Sequence, residues 1–267
     1  NYGVHIRVWG KPDEALAQKT EDGVLQVGFE DTRALINLAR RADPNVAIEL
    51  GCPTANMSVD DYVGLAQLVR PDLVQLWGCR IGAQHDRWMG AYGRIVAELG
   101  QPVALSPAGN RLHMGSYGLQ PGFVTSQEAF LKDLAPQAKT LLQQGNVGVG
   151  GGTQVTLQDL KVMQKKRIRG AKGARLSRLR LNLNINWHRA PGVAIRKLVL
   201  AFDQGSKVML PVDGAKDGIS LESLRTVVQP DERWVRAELL GSTPYSRFVD
   251  PAFEEVPLAS TGFVKLP

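Results

Sequence analysis

Val46-Ala47-Ile48-Glu49-Leu50-Gly51-Cys52-Pro53 and Leu73-Val74-Gln75-Leu76-Trp77-Gly78-Cys79 are two short, mostly apolar runs, and each ends in Gly-Cys. A run of this length bounded by turn residues reads as a buried strand. Between them, Ser58-Val59-Asp60-Asp61 has the form of a helix N-cap with acids in the first turn, and the helix runs through Leu65 and Leu68 to Arg70-Pro71. After the second run, Asp86 to Leu99 reads as a helix closed by Gly100, followed by a strand at Pro102-Val103-Ala104-Leu105-Ser106. Upstream, Val4 to Trp9 alternates as a strand does, and Ala34, Leu35, Leu38 and Ala39 have helical spacing. The β-α-β-α-β-α-β order predicts an α/β domain over residues 1–150, with a parallel sheet flanked by helices in three layers.

Beyond residue 106 the pattern changes. Residues 107–125 are rich in Gly, Pro and polar residues and read as a long loop. Ser126 to Gln144 reads as a helix interrupted by Pro136, and Gly148 to Gly152 as a flexible stretch. Residues 151–175 read as a basic linker or helix, with the helix at Leu157 to Ile168. Leu179, Leu181, Leu183, Ile185 and Trp187 then alternate with Arg178, Arg180, Asn182, Asn184, Asn186 and His188, which predicts a half-buried strand. Ile195–Phe202 and Lys207–Val212 read as a hairpin around Asp203-Gln204-Gly205-Ser206, Ser220–Val227 as a short helix and Trp234–Leu239 as a strand. Residues 176–267 are therefore expected to form a separate β-rich module.

Composition sets the outer bounds. Of 267 residues, 43% are hydrophobic and 22% charged, as in ordinary globular chains, which argues against global disorder. No apolar run approaches the roughly 20 residues of a membrane span. The sequence opens on Asn1-Tyr2-Gly3-Val4, with neither a signal peptide nor a start methionine, as expected of a fragment or processed product. The net charge of +6 is localised: twelve Lys or Arg and no acid lie between Leu160 and Phe202, leaving 20 basic against 26 acidic residues elsewhere.

Two cysteines, Cys52 and Cys79, make no disulfide framework and fit a reducing compartment such as the cytoplasm, or a chain that does not depend on bridges. His5, His85, His113 and His188 show no metal-ligand spacing, so no metal or other cofactor is expected. A redox pair between the cysteines lacks the Cys-x-x-Cys spacing. The Gly148–Gly152 run lacks the Gly-Lys-Ser/Thr ending of a phosphate loop. Cys79 stands at a strand end, beside Arg80 and ahead of a helix, where a thiolate is favoured. The plain reading is a small buried hydrophobe at a tight turn.

Leu73 to Leu76, then Trp77-Gly78-Cys79-Arg80-Ile81-Gly82, the following helix and Pro102-Val103-Ala104-Leu105-Ser106-Pro107 resemble the caspase-like, or clan CD, cysteine peptidases over residues 45–110. Bacterial toxin-processing and self-processing domains are similar, so the resemblance implies an effector or toxin-like origin. It implies that Cys79 attacks a carbonyl, with N–H groups near Gly78 stabilising the oxyanion. The family places His-Gly at the preceding strand end, where this chain has Leu50-Gly51. The alternative register, Trp9-Gly10 with Cys52, lacks the histidine too. The base then falls to His113 on the loop after the fourth strand, or to His85 on the Cys79 segment; without one, the domain is a non-catalytic descendant.

The second reading is a non-enzymatic binding module. Lys165, Lys166, Arg167, Arg169, Lys172, Arg175, Arg178 and Arg180 lie within sixteen residues, a density that attracts nucleic acid, acidic protein or peptide, or anionic lipid. Arg178, Arg180 and His188 should share one face of the long strand and Trp187 the other. Against this stands a solvated linker, or a basic face docked on the acidic remainder of the chain.

Overall fold

The structure is a computed structural model that describes residues 6–9, 24–25, 29–42, 44, 46–54, 56–77, 84–107, 116–119, 122–124, 148–150, 153–212, 217–242 and 255–267. In the N-terminal half, strands β1 (Ile6–Trp9), β2 (Val24–Leu25), β3 (Ala47–Leu50), β4 (Leu73–Trp77) and β5 (Ala104–Pro107) form one sheet in the order β2-β1-β3-β4-β5. Strands β3, β4 and β5 are parallel. Strand β1 runs antiparallel to β3, so the expected all-parallel sheet is a mixed one with an antiparallel edge. Helices α1 (Phe29–Ala42), α2 (Val59–Val69) and α3 (His85–Leu99) alternate with these strands.

Helix α2 begins where the sequence predicts. The Ser58 hydroxyl accepts the Asp61 N–H at 3.0 Å, and Asp60 and Asp61 sit at the positive end of the helix dipole. It ends at Arg70 in the left-handed region (φ 50°), whose N–H reaches the Ala66 carbonyl. Helix α3 ends at Gly100 (φ 64°), a conformation glycine adopts without strain. Two buried tyrosines tie helix to strand end: Tyr62 donates to the Gly51 carbonyl at 2.9 Å and Tyr92 to the Val103 carbonyl at 2.6 Å.

The C-terminal half is built of strands. Three long ones, β9 (Gln154–Arg169), β10 (Arg175–His188) and β13 (Gly218–Val228), form an antiparallel sheet in the order β13-β10-β9. A larger sheet runs β12-β11-β14-β15-β8-β6-β7, from β6 (Ser116–Leu119), β7 (Gly122–Val124), β8 (Gly148–Gly150), β11 (Ala194–Phe202), β12 (Lys207–Pro211), β14 (Trp234–Ser242) and β15 (Val256–Ser260), with β16 (Val264–Lys265) also pairing with β14. The alternation in β10 works as predicted. Leu179, Leu181, Leu183 and Ile185 are buried, and they share a core with Leu198, Leu200 and Phe202 of β11 and Val235, Ala237 and Leu239 of β14. Each such side chain contributes about 1.5–3 kcal/mol of burial.

Several expectations are corrected. Residues 151–175 are neither linker nor helix: Gln154–Arg169 is strand β9, paired along β10. Ser220–Val227 is not a helix but lies in β13. The 107–125 stretch, read as a loop, contains β6 and β7, and Gly148–Gly150, read as flexible, is β8; all three join the C-terminal sheet. The helix expected at 126–144 lies outside the described residues. No described helix is long and apolar enough to cross a membrane.

The two halves meet where α3 packs on β14. Strand β14 is buried on both faces. Val235, Ala237 and Leu239 face the C-terminal core, whereas Trp234 belongs to the N-terminal core together with Phe263. The approach is close at Gly93, where a Cβ would lie 2.8 Å from the Asp203 carbonyl oxygen. The Phe263 N–H donates to the Tyr92 hydroxyl at 3.2 Å, and Lys207 pairs with Asp86 at 2.9 Å.

Candidate functional site

Of the residues expected to do peptidase chemistry, Cys79 and His113 lie outside the described residues. His85 is described. It opens α3, is buried, and its Nε2 lies 2.7 Å from Glu238 Oε1 of β14. The other Glu238 oxygen lies 3.1 Å from Arg236 Nη1, which also donates to Ser260 Oγ at 2.9 Å. Burial alone would push the Glu238 carboxyl up; the Arg236 guanidinium, with His85 beside it, instead holds it down at about 2. An ionised carboxylate only accepts, so His85 Nε2 carries the proton. Trp77 meets the imidazole edge-on at 5.5 Å, and Arg236 lies 5.9 Å from the Phe263 ring. This cluster is a joint between α3 and β14, and His85 is engaged in it.

Cys52 follows β3, and its N–H donates to Gln75 Oε1 at 3.2 Å. It is disulfide-bonded, and no described cysteine is free. The expectation of two unbridged cysteines is corrected. A sulfur held in a disulfide has no thiolate to offer. Among the described residues no group of three or more His, Cys, Asp or Glu is placed to hold a metal ion.

The basic residues are gathered by the β9–β10 hairpin, whose tip is the 3₁₀ turn Ala171–Gly173 carrying Lys172 (φ 58°). The strand pairing places like charges directly opposite one another: Arg169 faces Arg175, and Lys166 faces Arg178. On the other side of β10, Arg180 faces Arg225 of β13. All six are exposed, and none forms an ion pair among the described residues. Arg180 donates to Ser223 Oγ at 2.8 Å. Lys165 and Arg167 pair with the inward-facing Leu179 and Ser177, and Lys165 Nζ reaches the Glu232 carbonyl at 3.2 Å.

Two concavities result. One, of about 580 Å³, lies on the outer face and is lined by Gln164, Arg178, Arg180, Arg225 and Val227. The second, of about 370 Å³, lies near the hairpin tip between Arg167, Arg169, Arg175 and Asp231. Farther along the outer face the polar residues, Asp159 among them, are mutually bonded. Asn184 Nδ2 donates to Asp159 at 2.8 Å, Ser220 Oγ donates to Asn184 Oδ1 at 2.7 Å, and the Ser223 N–H donates to Asn182 Oδ1 at 2.8 Å.

The predicted split of β10 holds: Arg178, Arg180 and His188 are exposed while Trp187 is buried. Arg225 and Gln164 were not singled out from sequence. Arg225 lies forty-five residues from Arg180 in the chain, and only the β10–β13 register unites them. Comparison with protein-family models, with curated proteins and with solved structures finds no match for this chain.

Proposed function

We propose that this protein is a non-enzymatic binding module that holds an anionic partner against the β13-β10-β9 sheet. The observation that carries this reading is the set of three like-charge cross-strand pairs, Arg169–Arg175, Lys166–Arg178 and Arg180–Arg225. Like charges directly opposite each other destabilise a sheet. None of the six forms an ion pair among the described residues, whereas an anion bridging each pair would offset the repulsion. The test is fluorescence polarisation against labelled anionic probes (nucleic acid, an acidic peptide, vesicles of anionic lipid) over about 50 to 200 mM salt. Affinity should fall steeply as salt rises, and Lys166→Gln with Arg178→Gln should flatten that dependence. Binding that ignores both salt and these substitutions would sink the reading.

The peptidase alternative assigns Cys79 as nucleophile within a three-layer, caspase-like N-terminal half. Two features support the binding module over it: the engagement of His85 with Glu238, and Leu50-Gly51 standing where the family has His-Gly.

A further inference from the structure

We infer that the partner is the sugar–phosphate backbone of a nucleic-acid duplex, seated in the outer-face groove of Gln164, Arg178, Arg180 and Arg225; this rests on the anionic-partner reading above. Three properties of the groove point to that chemistry. The first is spacing. Lys166–Arg178 and Gln164–Arg180–Arg225 form two successive rows across the sheet. Rows two residues apart lie about 6.8 Å from each other along a strand. That is twice the axial step of about 3.4 Å between phosphates on one strand of a duplex. The longer row crosses three strands and so extends about 10 Å.

The second is the donor set. Three of the four groove residues named are arginines, whose planar forks match the paired oxygens of a phosphate better than a lysine's point charge does. Gln164 adds an uncharged donor to the same row.

The third is what the face lacks. Among the described residues of the groove there is no aromatic ring, and its one exposed apolar side chain is Val227. Single-stranded nucleic acid is held by stacking bases on aromatic rings. Membrane surfaces are held by basic residues combined with Trp, Phe or Leu. A duplex presents phosphates outward with its bases already stacked, and it requires neither. Contacts to phosphate alone carry no sequence information.

The experiment uses the full chain and fluorescence polarisation with five probes: two short DNA duplexes of unrelated sequence, one of their single strands, polyglutamate, and vesicles of mixed phosphatidylcholine and phosphatidylserine. The expected result is equal affinity for the two duplexes, exceeding that for the other three probes. The triple variant Arg178→Gln, Arg180→Gln, Arg225→Gln should weaken duplex binding about equally for both sequences and reduce the salt slope by about three. Its melting temperature should not fall, because the removed charges are exposed and repel one another. Lys197→Gln, which breaks an ion pair with Glu255 away from this sheet, should leave binding unchanged. Tighter binding to the single strand, polyglutamate or vesicles overturns the duplex inference and leaves the anionic-partner reading standing. Binding to none of the five overturns both. A triple variant that binds the duplexes as well as the parent does overturns the groove as the site.

Discussion

Two groups of charges in this molecule are built on opposite principles. At the α3–β14 joint, Arg236, Glu238 and His85 are buried and paired. On the β13-β10-β9 sheet, Lys166, Arg178, Arg180 and Arg225 are exposed and set against their own kind. Buried charge survives only when each group has a partner of opposite sign or a hydrogen bond. Exposed like charge is tolerated because water screens it. The first arrangement serves the fold, and the second leaves attraction for something outside it.

The sharpest way to break this contrast is Glu238→Ala. It leaves Arg236 buried without its counter-charge and should cost about 3–5 kcal/mol, read by urea denaturation. Loss of less than about 1 kcal/mol would mean that the joint is not held by this pair. The same carboxyl sets an acid limit. Its folded value of about 2 lies below the ordinary 4.5, so its stabilisation is present above pH 4.5 and is lost as pH falls toward 2. Glu232 runs the other way. Burial raises its carboxyl to about 7 against the lowering effect of hydrogen bonds from Ser206 and Gln204. The folded state therefore binds that proton more tightly than the unfolded chain. Its contribution is full below pH 4.5 and is lost as pH rises toward 7. Melting temperature measured across pH should reflect both limbs, and Glu238→Gln should remove the acid one.

A smaller effect is expected at Gly93→Ala, whose methyl meets the Asp203 carbonyl oxygen at 2.8 Å. Overpacking there should cost about 1–3 kcal/mol by the same measurement. The smallest effect sharpens the contrast. Arg225→Gln should stabilise the protein by about 0.2–1 kcal/mol by removing a like-charge pair, while weakening the anionic partner. A destabilised Arg225→Gln would mean that the arginine serves the fold after all.

What the sequence revealed follows from how each element is marked. The elements between Ala47 and Pro107 were legible because Ser58, Gly100 and the strand-end glycines punctuate them. Strand β10 was legible because its period of two is unbroken. Its neighbours were misread for one shared reason. Strand β9 slips register against β10 around Asp159, and β13 slips around Ser223; both residues have positive φ, 51° and 58°. Each irregularity moves the next inward side chain by one position. Leu157 and Leu160 in β9, like Leu221 and Leu224 in β13, are therefore spaced by three, the spacing of a helix. Strand β10 holds both irregular sites from the middle: Asn184 donates to Asp159, and Asn182 accepts from Ser223. The basic cluster was legible as composition. Its division into two faces, and the addition of Arg225, required the register. The buried cluster was hidden because Arg236 and Glu238 alternate with Val235, Ala237 and Leu239 as a solvent-facing row would. Only the packing of α3 shows that the row is covered.

The sharing of β14 between the two cores also bears on the order in which the chain can mature. Trp234 and Phe263 complete the core of the α/β half, yet they emerge from the ribosome after nearly all of it. Domains ordinarily fold in sequence as they are synthesised. Here α3 would wait with its Tyr92 and His85 side uncovered while the intervening strands are made. Removing the segment from Val256 onward would therefore be felt not only in the sheet that β15 joins but also in the first hundred residues, through the loss of Phe263.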